Sequence, residues 1–379
     1  MRSSLLAGLT PRAFLSRHWQ KHALLARAAV PGFQGFLGRD DLIRLACRDD
    51  VESRLVLRDG RRWSMQQGPF HRRDFASLPA RNWTLLVQGV NLHVAAGAGL
   101  LGCFDFIPHA RLDDLMVSYA APGGGVGPHF DSYDVFLLQG FGRRRWQVSR
   151  QRDLDLVPGA PLKILRRFRV EDEWVLDPGD MLYLPPRCAH HGIAVDACTT
   201  YSIGFRAPAL RELTGRFLED FADRLDIDGR YADPHLRPTA SPGRIGDDLI
   251  RATEANLARL RFRRSDVEDF LGRYLSEPKA QVVFDPPSTR LSARSFDAAV
   301  ARHGIELDLK SLMLYGKGAV YLNGECTRFP RGVPDALRLL ADRRRLSPSR
   351  LPPPVVGILR EWHATGFVHV AAAPPGERP

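Results

Sequence analysis

A histidine and an aspartate stand two residues apart, His129 and Asp131, at the end of the glycine-rich run PGGGVGPHFD. On an extended chain, side chains two apart leave the same face. An imidazole and a carboxylate converging there make two-thirds of a facial triad of two histidines and one carboxylate. Such a triad leaves positions open on one side of iron(II) for a bidentate organic acid and then dioxygen. A lone HxD is as readily a surface pair, so the case rests on what accompanies it. A second histidine is available in PGDMLYLPPRCAHHGIAV, where Pro185 and Pro186 stiffen the loop that would deliver it. The residues leave open whether His190 or His191 is the ligand, the other then being a surface residue.

Two further side chains fit the same chemistry. In GFGRRRWQV, strand alternation after the Gly140–Gly142 turn puts Arg144, Trp146 and Val148 on one face and Arg143 and Arg145 on the other. An arginine sharing a face with Trp and Val is costly to bury unless it meets an anion. Arg144 is therefore a candidate to grip a carboxylate bidentately, against the plainer reading of a snorkelling or ion-paired arginine. Ser118, in LMVSYAAP, could add a hydroxyl hydrogen bond to that carboxylate. The glycines themselves do not make a phosphate loop. Gly127 precedes Pro128, which disfavours helical geometry, and the continuation DVFLLQ is β-rich with no Gly-Lys-Ser/Thr ending.

The elements that must position these residues are short strands. Between Leu115 and Arg206 the stretches LMVSYAAP, DVFLLQ, RRWQVS, EWVLDPGDMLYLPP, HHGIAVD and TTYSIGFRAP are separated by Gly and Pro, a spacing that predicts a barrel or sandwich. Upstream, Thr10 and Pro11 open a helix with Phe14, Leu15 and Trp19 at helical spacing, Asp59-Gly60 turns a hairpin, and RNWTLLVQGVNLH is an apolar strand. After Pro208 the pattern turns helical, with Leu210, Leu213, Phe217, Phe221 and Leu225 on one stripe. A Pro- and Gly-rich loop separates this from a second helical stretch. A small mixed region follows to about residue 372, with a hairpin in LMLYGKGAVYLNGE and helices around Leu339 and Leu359. The tail AAAPPGERP reads as disordered.

Composition bounds the rest. A chain of 379 residues has room for two or three domains. No apolar run approaches the ~20 residues of a membrane span, and the first residues do not read as a secretory signal. Five scattered cysteines without a CxxC pair support neither a zinc ribbon nor a disulfide framework, so a reducing cytoplasm is expected. The net charge of +11, largely arginine, leans toward a polyanionic partner such as nucleic acid or a ribosomal surface; a solvated basic face would give the same number.

Taken together, VGPHFD, FLLQGFGRRRW, PGDMLYLPP, HHG and YSIGFRAP resemble the JmjC-type ribosomal oxygenases, in particular the bacterial branch that hydroxylates an arginine of a large-subunit ribosomal protein. The resemblance covers at least residues 10–215. It implies an α+β fold: a double-stranded β-helix, cupin-like catalytic domain over residues 1–208, a helical dimerisation region over 209–276, and a winged-helix-like domain over 277–372. It implies iron(II), 2-oxoglutarate as cosubstrate, and dioxygen. His129 and Asp131 match the family's proximal ligands, and His190, two residues before Gly192, matches the distal one. Ser118 and Arg144 match the 2-oxoglutarate-holding positions. His191 departs from the pattern, standing where the bacterial relatives carry an acidic residue. The implied activity is hydroxylation at an arginyl β-carbon, in a cytoplasmic homodimer that could also contact ribosomal RNA. Tyr133 and Asp134 could steer the substrate guanidinium or could simply pack. Rival readings are the same chemistry on a histidine of another ribosomal protein, N-methyl demethylation, or a non-catalytic cupin acting as an RNA-associated or sensory module. Arg144 discriminates the last, because a structural cupin has no use for a buried arginine opposite the triad.

Overall fold

The computed structural model describes residues 5–371; the tail read as disordered lies, apart from Ala371, outside the described residues. Eleven strands build the N-terminal half. They are β1 (Leu24–Ala26), β2 (Ser53–Asp59), β3 (Arg62–Gln67), β4 (Trp83–Val87), β5 (Leu112–Ala120), β6 (Val135–Gln139), β7 (Arg144–Ser149), β8 (Asp172–Leu176), β9 (Met181–Leu184), β10 (Ala189–Ala194) and β11 (Cys198–Phe205). An eight-stranded sheet runs β1-β9-β6-β11-β5-β4-β2-β3, and a three-stranded sheet runs β10-β7-β8. The pairings within both are antiparallel. The expected barrel or sandwich is present as two facing sheets of the cupin type.

Strand β6 shows why the sheets close on each other. Its apolar run VFLL is continuous because both faces are covered. Val135 and Leu137 point between the sheets, where Leu182 and Leu184 of β9 meet Trp146, Val148 and Leu176 of the small sheet. Phe136 and Leu138 point outward into a second cluster with Phe14, Phe104, Tyr183 and Phe205. The outer cluster is supplied by N-terminal segments that strap the large sheet.

The first strap is the helix Pro11–Arg17, capped as expected by Thr10, whose hydroxyl accepts from Ala13 N at 3.2 Å. The helical spacing through Trp19 does not continue. The chain turns at Gln20, which takes φ 57°, and re-enters as β1. Long-range polar contacts decide this turn: Gln20 N donates to the Tyr183 hydroxyl at 2.8 Å and its amide to Asp134 at 3.0 Å. Trp19 still reaches the core, stacked on Tyr183 and edge-on to Phe205. Next to β1, buried Asp180 of the PGD turn accepts from Ala28 N at 2.8 Å and from Arg27 at 2.6 Å. The hairpin at Asp59-Gly60 forms as expected, pairing Asp59 with Arg62.

Beyond Phe205 the chain is helical: Leu210–Ala222, Asp247–Leu257 and Arg264–Ser276. Phe217 of the first contacts Phe270 of the third at 5.5 Å. The third helix also docks on the strand Ala319–Leu322, where Tyr321 donates its hydroxyl to Asp269 at 2.6 Å. The C-terminal unit is a winged helix. Its helices Ala293–His303, Asp335–Arg343 and Pro353–Ala364 and two small three-stranded sheets share one core including Phe296, Leu337, Leu340, Leu359 and Trp362. The hairpin expected in LMLYGKGAVYLNGE is the pair Met313–Tyr315 and Ala319–Leu322.

Asp134 proves to be a fully buried acceptor for Tyr183 at 2.6 Å and Gln20, with Arg111 3.7 Å away. It braces the N-terminal strap and does not face a substrate. Asp134→Ala is expected to lower unfolding free energy by about 2 kcal/mol through the stranded Tyr183 hydroxyl, leaving metal affinity unchanged. Urea denaturation beside a metal titration checks both halves.

Candidate active site

The first and last residues of the triad are a backbone pair. His129 N donates to His190 O at 2.9 Å and His190 N donates to His129 O at 2.8 Å, an isolated antiparallel bridge between the segment before β6 and strand β10. The two imidazoles consequently lie side by side, ring centres 4.2 Å apart. Asp131 reaches the same point, its carboxylate 3.7 Å from His190 Nε2. One ligand atom from each of His129, Asp131 and His190 lies within 4.8 Å of the others.

Backbone carbonyls fix which nitrogen of each ring points inward. His129 Nδ1 sits 2.9 Å from Gly127 O, and His190 Nδ1 sits 2.9 Å from Cys188 O. A ring donating Nδ1–H to a carbonyl presents the lone pair of Nε2, the arrangement metal-binding histidines require. Burial, reinforced by the neighbouring His129, pushes the His190 pKa down to about 4, so its imidazole is neutral and ready to ligate at neutral pH. His191 is not part of this cluster. It lies on the opposite face of β10, edge-on to Phe168.

The glycine run has a structural purpose that its composition alone conceals. Gly123 N donates to Ala194 O and Ala194 N to Gly124 O, so the run lies against the end of β10. A Cβ on Gly125 would sit 2.3 Å from Gly192 O, which only glycine avoids. This close seat brings His129 and Asp131 to His190. The turn on the other side is tied in as well, since Arg187 N donates to Asp131 O at 2.7 Å.

Arg144 lies where alternation placed it. The burial of β7 alternates through Arg144, Trp146 and Val148, with Arg145 outside. Arg144 is 5% exposed, and its Nε and Nη2 have no hydrogen-bond partner. A buried guanidinium with free donors calls for an anion between the sheets. Ser118 faces the same interior from the large sheet. Its outward neighbours Leu115 and Val117 join the outer cluster, whereas Ala120, on its own face, packs on Ala194, the cross-strand partner of Arg144. Two imidazoles and a carboxylate suit iron(II), and a buried arginine deeper in the barrel suits a dicarboxylate that also reaches the metal. The residues present therefore fit both groups.

Comparison with known proteins agrees with this geometry. Residues 99–213 match a JmjC domain and residues 257–367 match a ROXA-like winged helix. The chain is 35% identical over 328 residues to the ribosomal protein uL16 3-hydroxylase of Escherichia coli, covering 86% of this chain and 87% of that one. This chain belongs to the JmjC-type ribosomal oxygenases. The crystal structure of E. coli YcfD superposes with a TM-score of 0.83 at 32% identity, covering 95% of this chain and 98% of that one. The same E. coli ribosomal oxygenase, solved with cobalt and 2-oxoglutarate, gives a TM-score of 0.81 at equal coverage and identity.

In this ribosomal oxygenase, sequence reasoning missed one buried group. The indole N–H of Trp146 lacks a partner just as the Arg144 donors do; the Trp was visible only as a face-mate of Arg144. Tyr133, left open between steering and packing, is 41% exposed and lines a cleft of about 520 Å³ with Asp113, Arg206, Glu212, Glu277 and Lys279. Partial burial and the Asp131 carboxylate raise its pKa, so it stays a neutral hydroxyl.

The depressed His190 pKa has a thermodynamic consequence. Unfolding restores an ordinary imidazole near 6.5, so between about 6.5 and 4 the unfolded chain binds more protons than the folded one. Stability of the metal-stripped oxygenase is therefore expected to fall as pH drops through that window. His190→Gln should flatten the decline, and equal slopes for the two proteins in thermal melts would count against the assignment.

Proposed function

We propose that this oxygenase uses iron(II), 2-oxoglutarate and dioxygen to hydroxylate an arginine, at its β-carbon, in a large-subunit ribosomal protein. The metal ligands in this reading are His129, Asp131 and His190, and the residues holding 2-oxoglutarate are Ser118 and Arg144. The observation that carries it is the buried, unpartnered Arg144 guanidinium inside the same barrel as the triad. The name of the E. coli relative, a uL16 3-hydroxylase, supports the choice of target. Bound iron with 2-oxoglutarate supplies an oxidant for an unactivated C–H bond, leaving succinate and carbon dioxide as co-products.

The chain's own share is positioning. His129 and His190, locked by carbonyl acceptors on their Nδ1 atoms, orient the metal's open face. Arg144 and Ser118 would fix the far carboxylate of the cosubstrate and thereby its reacting end. The cleft lined by Tyr133 holds the carboxylates of Asp113, Glu212 and Glu277 against the cations of Arg206 and Lys279, both paired with Asp113, so it offers a basic polypeptide a small acidic excess in a chain at +11 overall.

Contacts beyond the target peptide are part of the same reading. The insertion between β7 and β8 exposes Lys163, Arg166, Arg167 and Arg169, and is anchored beside the site by Leu165 N donating to Pro128 O at 2.8 Å. Ribosomal RNA flanking the target is the polyanion it would meet. The helices Leu210–Ala222 and Asp247–Leu257 bury no residue within the chain and leave Leu210, Ile250 and Leu257 exposed; Phe262, just beyond them, is exposed as well. A second copy covering this face would make the homodimer. Sedimentation of Ile250→Glu/Leu257→Glu, expected monomeric, tests that surface. The division into residues 1–208, 209–276 and 277–372 belongs to this proposal, with the helix Arg264–Ser276 as the joint, and so does a cytoplasmic setting. No helix among the described residues is long and apolar enough to cross a membrane.

Incubation with iron(II), 2-oxoglutarate and recombinant uL16 is expected to add one oxygen to an arginine-containing peptide, read by mass spectrometry. Arg144→Met should lower kcat/KM for 2-oxoglutarate about a hundredfold, the scale of losing a charged hydrogen-bonding group. Modification of a histidine peptide instead would redirect the target, and absence of 2-oxoglutarate turnover would refute the enzyme reading.

A further inference from the structure

The buried side-chain polar atoms without partners among the described residues are Arg144 Nε, Arg144 Nη2, Trp146 Nε1 and Arg360 Nε. Three of the four therefore lie on adjacent inward positions of β7. The register between β7 and β10 orders this wall. Val148 pairs with His190, Trp146 with Gly192, and Arg144 with Ala194. Successive inward positions along a strand are about 7 Å apart. Trp146 thus stands midway between the level of a triad histidine and the level of the arginine.

Its ring is held there by contacts on three sides. Carbons of its six-membered ring lie 2.7 Å from where a Cβ on Gly192 would be, so the indole occupies the space that any side chain at 192 would need. The Arg144 guanidinium carbon sits 5.8 Å from the ring centre, and the His190 ring centre is 5.9 Å away. A buried indole N–H ordinarily finds an acceptor. In this wall the neighbouring polar groups are a guanidinium, which only donates, and an imidazole whose Nε2 faces the triad.

We propose that Trp146 is a third 2-oxoglutarate-binding residue: its indole N–H donates to a carboxylate oxygen of the bound cosubstrate, and its face seats the methylene chain between metal and Arg144. Gly192 is then required because a side chain there would displace that ring. This assignment rests on the 2-oxoglutarate reading given above, and the test separates the two.

Full-length protein loaded with zinc in place of iron is titrated with 2-oxoglutarate, without turnover, by calorimetry and by the indole ¹H–¹⁵N resonances of its six tryptophans. Trp146→Phe removes the N–H and keeps an aromatic ring; Trp146→His keeps a ring N–H. Whichever folds assigns the Trp146 resonance by its disappearance. The expected result is a downfield shift of that resonance on binding, a Kd about tenfold weaker in Trp146→Phe, and partial recovery in Trp146→His. If wild-type protein binds 2-oxoglutarate while the Trp146 resonance stays in place, this inference is overturned and the functional reading stands. If wild-type protein fails to bind 2-oxoglutarate at all, the functional reading falls first.

Discussion

The backbone bridge between His129 and His190 is the constraint on which the site depends. It joins two segments some sixty residues apart through reciprocal hydrogen bonds of 2.9 and 2.8 Å. Side chains flanking such a bridge have little freedom, so convergence of the two imidazoles follows from the sheet and not from their own rotamers. Asp131 is carried along by the two-residue period of the same segment. The bridge forms only because the glycine run before it can lie against β10, where Gly125 meets the Gly192 carbonyl at a distance no larger residue tolerates. The convergence of these three side chains is thus a property of backbone pairing.

A second layer fits these side chains to the role of metal ligands proposed for them. The carbonyls of Gly127 and Cys188 select the tautomer in which Nε2 faces inward, and burial keeps His190 unprotonated near neutral pH. The same low-dielectric interior sharpens the demand of Arg144 for an anion, since a buried guanidinium without a counter-charge is unfavourable by several kcal/mol. The apolar packing of Val135, Leu137, Leu182 and Leu184 against Val148 and Leu176 holds the two sheets together around these groups. On the inward face of β7, Trp146 and Val148 join that apolar packing and Arg144 alone carries charge.

Much of this was legible because strand periodicity is short and strict. The convergence of His129 with Asp131 and the Arg144–Trp146–Val148 face follow from a period of two, the hairpin from its Asp59-Gly60 turn, and each appears as read. The choice between His190 and His191 could not come from residue types, because adjacent positions differ only in which face they occupy, and that depends on a bridge to a partner distant in sequence. The helix reading through Trp19 failed for the same kind of reason. Local spacing favoured continuation, but Tyr183 and Asp134, distant in sequence, capture Gln20 and turn the chain. Asp134 could be read as steering a substrate or as packing, because nothing nearby in sequence announces the Tyr183 hydroxyl that settles it as packing.

The helical segment illustrates a different limit. An amphipathic stripe from Leu210 to Leu225 specifies that something must cover it, and Phe217 and Phe221 do find Phe262, while Phe217 also meets Phe270. Leu210, Leu257 and the Ile250 flank remain exposed. A stripe encodes an apolar face without encoding whose surface completes it. Within one chain, this face is left half covered while the cupin core is closed on every side. The contrast is one of packing: the two sheets bury their apolar side chains against each other, so the core around the candidate site is completed by the chain's own residues.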